Sequence, residues 1–284
     1  MDAGSGNLDA LRREIDEIDD TMHDLLIRRA EIVRRIGALK GADNPVIYRP
    51  EREAQLLRRL IARHRGELPV ITIVRVWREI LTASTRLQGD FSLAVWRSED
   101  DMATWQLARS HFGGDVPAVA FNTYSQVINA VTRGEAAIGL LPVPQQDDAT
   151  PWWPTLLGED VPRVISRLPF LDDNGAGNAT SAGAFVLARA EAQPSGDDRS
   201  LVVLEIESPV SRGKVVEALV DAGFDVGQQI VQSDGRDTAA PLHLLDIAGY
   251  VRADDARLSS AGMLLGVTRI VRLGGYAVPV AVGG

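Results

Sequence analysis

From Asn7 to Lys40 the chain contains no proline and one glycine, at position 37, and its apolar residues recur with the 3.6-residue period of an α-helix from end to end. At 1.5 Å per residue a helix of that length runs about 50 Å, too long for a compact globule built from this chain to cover. A helix gains most of its stability from packing its apolar face, so this one must find cover elsewhere. At 100° per residue Leu11, Ile15, Ile18, Met22, Leu26, Val33 and Ile36 share one stripe. Arg29 and Lys40 fall on the same stripe, whereas Arg28, Arg34 and Arg35 point away from it and make an ordinary solvated face.

Two shorter helices follow. GADNP (41–45) breaks the first. YRPEREAQLLRRLIARHRG then places Pro50 in a first turn and Gly66 where a helix stops, with Leu56, Leu57, Leu60 and Ile61 on one side. The third is expected from about Val70 to Gln88, with Val74, Trp77, Ile80 and Leu81 on one side and QGD closing it. Helices of such unequal length cannot cover one another. Residues 1–90 are therefore expected to be an all-helical homodimer in which the long helix meets a second copy of itself.

The texture changes after Gly89. FSLAVW, VPAVAF, SQVINAVTRGE and AAIGLLPVP alternate as strands and a helix, the pattern of a small α/β unit over 91–195. DDNGAGNATSAGA (172–184) reads as a loop, its GxGxxG-like spacing lacking the strand before and helix after it, and QPSGDD (193–198) as a linker. From Ser200 the order is βαββαβ, a ferredoxin-like arrangement that fills 196–284. The fold class expected is thus multi-domain, α plus α/β.

Composition narrows the chemistry. With 284 residues, 45% hydrophobic and 24% charged, the chain should fold into two or three domains. There is no cysteine, and His23, His64, His111 and His243 are scattered, so neither a metal site nor any cofactor is expected. Residues 1–90 hold 16 of the 30 Lys and Arg against 15 of the 39 Asp and Glu, leaving 14 against 24, or −10, for the remainder. No basic footprint for nucleic acid results. The acidic start and the lack of a run of about 18 apolar residues point to a cytoplasmic protein with no membrane partner.

The inward-facing polar residues of the first helix have counterparts in the other two. Glu53 shares the stripe of Leu56, Leu57 and Leu60, with Arg52 at its edge, while Ser84 and Gln88 share that of Trp77 and Leu81. Long side chains can lay their methylenes on a core and lift their heads into water, but Ser84 is too short for that. If these groups share a pocket, Arg29, Lys40 and Arg52 oppose one Glu53, and the two excess positive charges suit a small dianion. Nothing there is an activated nucleophile, so such a pocket would orient its ligand and stabilise charge. Arg12 lies 17 residues before Arg29, about 25 Å along the axis, and by angle alone is an exposed first-turn residue. An antiparallel second copy would instead bring it to the pocket of its partner.

LDALRREIDEIDDTMHDLLIRRAEIVRRIGALK, VIYRPEREAQLLRRL and REILTASTRLQ together closely resemble the all-helical, intertwined-dimer chorismate mutases across residues 7–88. The resemblance implies rearrangement of chorismate to prephenate in phenylalanine and tyrosine biosynthesis. It also implies that Arg12 of one chain, with Arg29 and Arg52 of the other, holds the substrate carboxylates, assisted by Ser84. Lys40 and Gln88 would bond the ether oxygen, and Glu53 the ring hydroxyl. Arg49 stands where some members carry an acidic residue near that hydroxyl. More weakly, FNTYSQVINAVTRGEAAIGLLPVPQ resembles one lobe of prephenate dehydratase, and the βαββαβ segment resembles the ACT regulatory module of bifunctional mutase–dehydratases, which would take an aromatic amino acid effector. The dehydratase part is short and reads NATSAGAFVLAR in place of a Thr-Arg-Phe motif, and VQSDGR (231–236) replaces Glu-Ser-Arg-Pro. These departures imply a degenerate carboxyl half without dehydratase activity. Two alternatives stay open: a working bifunctional enzyme, and a non-catalytic amino-acid-sensing dimer.

Overall fold

The first helix, α1 (Ala3–Lys40), is one uninterrupted element of 38 residues, four longer at its start than the period alone suggests. The structure is a computed structural model that describes residues 3–40, 47–172, 183–207, 210–232 and 240–281. Along α1 the apolar stripe is open: Leu11, Ile15, Ile18 and Met22 keep between 52% and 57% of their surface. Only the carboxyl end of α1 meets the rest of the chain, and Gly37 makes that approach possible, since a Cβ there would come within 3.3 Å of the Gln88 backbone.

Helix α2 (Pro50–Arg63) opens on its proline, and α3 (Val70–Arg86) follows Pro69. Their apolar sides close on each other through Ala54, Leu57, Val74 and Leu81. The same cluster includes Phe170 and Leu171, with Ala277 and Val280 packed against it, so these helices are seated on the carboxyl half.

That half contains β1 (Leu93–Trp96), α4 (Ala103–Phe112), β2 (Ala118–Phe121), α5 (Tyr124–Thr132), β3 (Ile138–Pro142), β4 (Arg163–Leu168), β5 (Leu171–Asp172) and β6 (Ala184–Ala188). It continues through β7 (Asp198–Ile206), α6 (Arg212–Asp221), β8 (Val226–Gln232), β9 (Leu242–Ala248), α7 (Ala256–Leu265), β10 (Val267–Ala277) and β11 (Val280–Ala281). The βαββαβ order expected from Ser200 onward is present in β7 to β10, whose spatial order is β10-β7-β9-β8. Instead of closing on itself, this sheet runs on through β10 and β4 into the first lobe, giving the mixed order β2-β1-β3-β6-β4-β10-β7-β9-β8. Gly274 allows the join: at φ +137° its missing Cβ would lie 2.0 Å from the Val164 carbonyl oxygen, a space no side chain can share.

The sequence reading assigned neither α4 and β4 nor the two-residue strands β5 and β11. The segment QPSGDD, read as a linker, is held in place. The Asp198 carboxylate accepts from the backbone N–H groups of Ser195 and Gly196 and from the Ser195 hydroxyl, and both side chains are buried. Of the loop expected at 172–184, residues 173–182 lie outside the described residues, as do 233–236 of VQSDGR. No helix among the described residues is long and apolar enough to cross a membrane.

Candidate active site

Three helices enclose a cavity of about 470 Å³. Helix α1 supplies Arg29, Val33 and Ile36, positions spaced by one helical turn on the stripe identified from the period. Arg49, just before α2, joins Arg52, Glu53, Leu56 and Arg59 from that helix, α3 adds Leu81, Ser84 and Thr85, and Gln88 follows from the turn after α3. Four guanidinium groups therefore face one carboxylate, an excess of three positive charges when all are ionised.

Packing fixes the polar heads. The Arg29 guanidinium donates to the Ser84 hydroxyl and lies over the Trp77 ring, 5.8 Å from its centroid. Ser84 in turn donates to the Ile80 carbonyl at 2.5 Å, and Gln88 Nε2 donates to the Ser84 carbonyl at 3.2 Å. Arg52 Nη1 donates to Gln55 Oε1 at 2.8 Å. Burial pushes the Glu53 carboxyl up to about 7, an effect that Arg78 and Arg29 oppose and Glu51 reinforces. Burial likewise lowers Arg29, with Glu53 pulling the other way. Among the described residues no group of three His, Cys, Asp or Glu is placed to hold a metal ion. What the cavity offers is a preorganised positive surface, suited to fixing an anion in one conformation and to stabilising negative charge as it moves.

Residues 11–89 match the family model described as chorismate mutase type II. That match spans 79 of the 284 residues, those of the three helices around the cavity. The bifunctional chorismate mutase/prephenate dehydratase of Pseudomonas aeruginosa is 30% identical over 146 residues, 50% of this chain and 40% of the relative. The T-protein of Enterobacter agglomerans is 41% identical over 85 residues, 29% of this chain and 22% of that one. The chain thus spans about two fifths or less of the length of these curated relatives. Among solved structures, prephenate dehydratase from Streptococcus mutans aligns at TM-score 0.49 and 14% identity, covering 68% of this chain and 100% of that one. The quorum-quenching acylase GqqA aligns at TM-score 0.48 and 14% identity, covering 66% and 96%.

Within the matched segment, Arg29, Arg52, Glu53, Ser84 and Gln88 all line this cavity. Arg12 does not reach it in the single chain: its side chain is 66% exposed and pairs with Asp9 at 3.3 Å. Lys40 ends α1 three residues after the Gly37 crossing, and its side chain lies outside the described residues. The sequence reading missed Arg59 and, behind the cavity, Arg78. The signal for Arg78 was present, because Val74, Arg78, Leu81 and Thr85 fall within about 60° of one another at 100° per residue. Val74, Leu81 and Thr85 are buried, so Arg78 is carried inward among them, where it is the foremost cation acting on Glu53.

Proposed function

We propose that the chain is a homodimeric chorismate mutase that converts chorismate to prephenate without a cofactor. The reading is carried by one observation: polar residues spaced along three separate helices converge on a single cationic cavity sized for a small dianion. In it Arg29 and Arg52 hold the substrate carboxylates with Ser84, Arg12 of the second copy completes the grip, and Glu53 accepts from the ring hydroxyl. Lys40 and Gln88 donate to the ether oxygen, where negative charge grows as its bond to carbon breaks. The rearrangement moves electrons around a ring and requires no proton transfer, which agrees with a cavity that lacks a nucleophile. The second copy is supported by the open stripe of α1, and the βαββαβ half is read as an ACT-like regulatory module for an aromatic amino acid.

The decisive experiment follows chorismate absorbance with purified protein. Turnover is expected in the wild type, with loss of about 100-fold or more in Lys40→Ala at unchanged circular dichroism. Wild-type turnover retained in Lys40→Ala would remove that residue from the mechanism, and no turnover at all would leave a sensing dimer. A dehydratase step is a second reading, because the 146 residues aligned with the Pseudomonas relative exceed the mutase segment. Phenylpyruvate formed from added prephenate would establish it; the degenerate NATSAGAF segment favours none.

A further inference from the structure

A second cavity, of about 500 Å³, lies on the opposite side of α3, between that helix, α4 and the 168–171 segment. It is as large as the mutase cavity, and its chemistry is divided. The wall formed by α3 carries Arg75, Arg78 and Glu79; the facing wall is apolar, formed by Leu168, Phe170 and Leu171. Arg75 and Glu79 stand one helical turn apart, so their heads are near neighbours. Yet neither side chain has a hydrogen bond or ion pair among the described residues, and both are exposed. Arg78 is anchored behind them: it donates to the His111 ring, 2.9 Å from Nε2, and lies over Phe170 at 5.7 Å from the ring centroid. Burial and the adjacent Arg78 hold His111 well below its usual range, so it adds no charge at neutral pH. The cavity thus presents two cations and one anion beside an aromatic surface.

A ligand matching that wall has a carboxylate and an ammonium about one carbon apart, with an apolar group on the same carbon. We propose that this cavity binds a zwitterionic α-amino acid with a bulky apolar side chain, its carboxylate on Arg75 and Arg78, its ammonium on Glu79 and its side chain against Phe170. A guanidinium holds a carboxylate through two parallel hydrogen bonds, and Glu79 rejects a ligand that lacks the ammonium partner only weakly, because it is already solvated. The site uses elements distinct from the βαββαβ half, and it stands whether or not the chain turns over chorismate.

Isothermal titration of the full chain with L-phenylalanine, L-leucine and 3-phenylpropionate tests the proposal. Saturable binding of L-phenylalanine is expected, weakened about tenfold or more by Arg75→Ala and measurably by Glu79→Gln. Binding of 3-phenylpropionate should be weakened by Arg75→Ala and indifferent to Glu79→Gln. Both positions are exposed, so the variants should fold, as circular dichroism will verify. Absence of heat with both amino acids overturns the proposal. So does binding that neither variant alters, which places the ligand elsewhere, and so does an effect of only one variant on L-phenylalanine, which removes the zwitterion.

Discussion

Glu53 is the carboxyl of the cavity, and its ionisation is coupled to folding. Its carboxyl titrates at about 7 in the folded protein against 4.5 for the free group, with burial the main cause. Between those values the native state keeps a proton that the unfolded chain has released, so the contribution to stability is full below about 4.5 and is lost as pH rises through 7. Glutamine imitates the protonated form. Glu53→Gln should therefore melt several degrees higher than wild type at pH 8 and at nearly the same temperature at pH 4.5. Equal melting curves at pH 8 would show that the carboxylate is not penalised. Gln88 poses the converse test. Replacing it with glutamate puts a donor at the ether oxygen only when that carboxyl is protonated, so Gln88→Glu should confine kcat/KM for chorismate to acidic pH. A flat profile would remove Gln88 as a donor.

At the scale of the element, α1 has the clearest unmet requirement. Each large apolar side chain on its stripe would gain about 1.5–3 kcal/mol by full burial, and Leu11, Ile15, Ile18 and Met22 remain half open in the single chain. The antiparallel second copy proposed above would satisfy them and carry Arg12 to the opposite cavity. Placing two charges on the seam, in Ile15→Glu with Ile18→Glu, should give a monomer by light scattering and reduce chorismate turnover by about 100-fold or more. A dimer that survives both charges would refute this seam. The same regularity made α1, α2 and α3 legible beforehand: long helices repeat their period many times, and Pro50 and QGD mark ends. Some short elements were not legible, α4 and β4 among them. In α4 the buried residues are Thr104, Ala108 and Phe112, too small or too few to register as a stripe. In β4 the buried Arg167 reads as a surface residue until the ring of Tyr276, 5.8 Å away, is known to receive it. For Arg78 the stripe of α3 carried a signal, but its partners His111 and Phe170 lie far along the chain.

For the whole molecule, the informative feature is that helices α2 and α3 are seated on the sheet rather than tethered beside it. Phe170 sits between the guanidinium groups of Arg58 and Arg78, with ring centroid distances of 5.9 and 5.7 Å. Arg58, on α2, also closes a set of hydrogen bonds to the other end of the chain: Nη1 donates to Ser195 Oγ at 2.9 Å, and Nη2 to the carbonyls of Asp197 at 2.8 Å and Val278 at 2.9 Å. One side chain therefore ties α2 to the start of β7 and the end of β10, while the opposite side of α2 faces the cavity lined by Arg52 and Glu53. Removing it leaves the partly buried Val278 carbonyl without its side-chain donor, at a cost of about 1–3 kcal/mol where water cannot replace the bond, while the Asp197 carbonyl keeps the Val278 N–H and the Ser195 hydroxyl. Arg58→Ala should separate one thermal transition into two in calorimetry, the helical part melting first and at least several degrees below wild type. Arg58→Lys, with one compact head where two donor nitrogens served, should fall between them. If Arg58→Ala melts in one step at the wild-type temperature, the apolar contact through Leu57, Phe170 and Leu171 alone holds the two halves together.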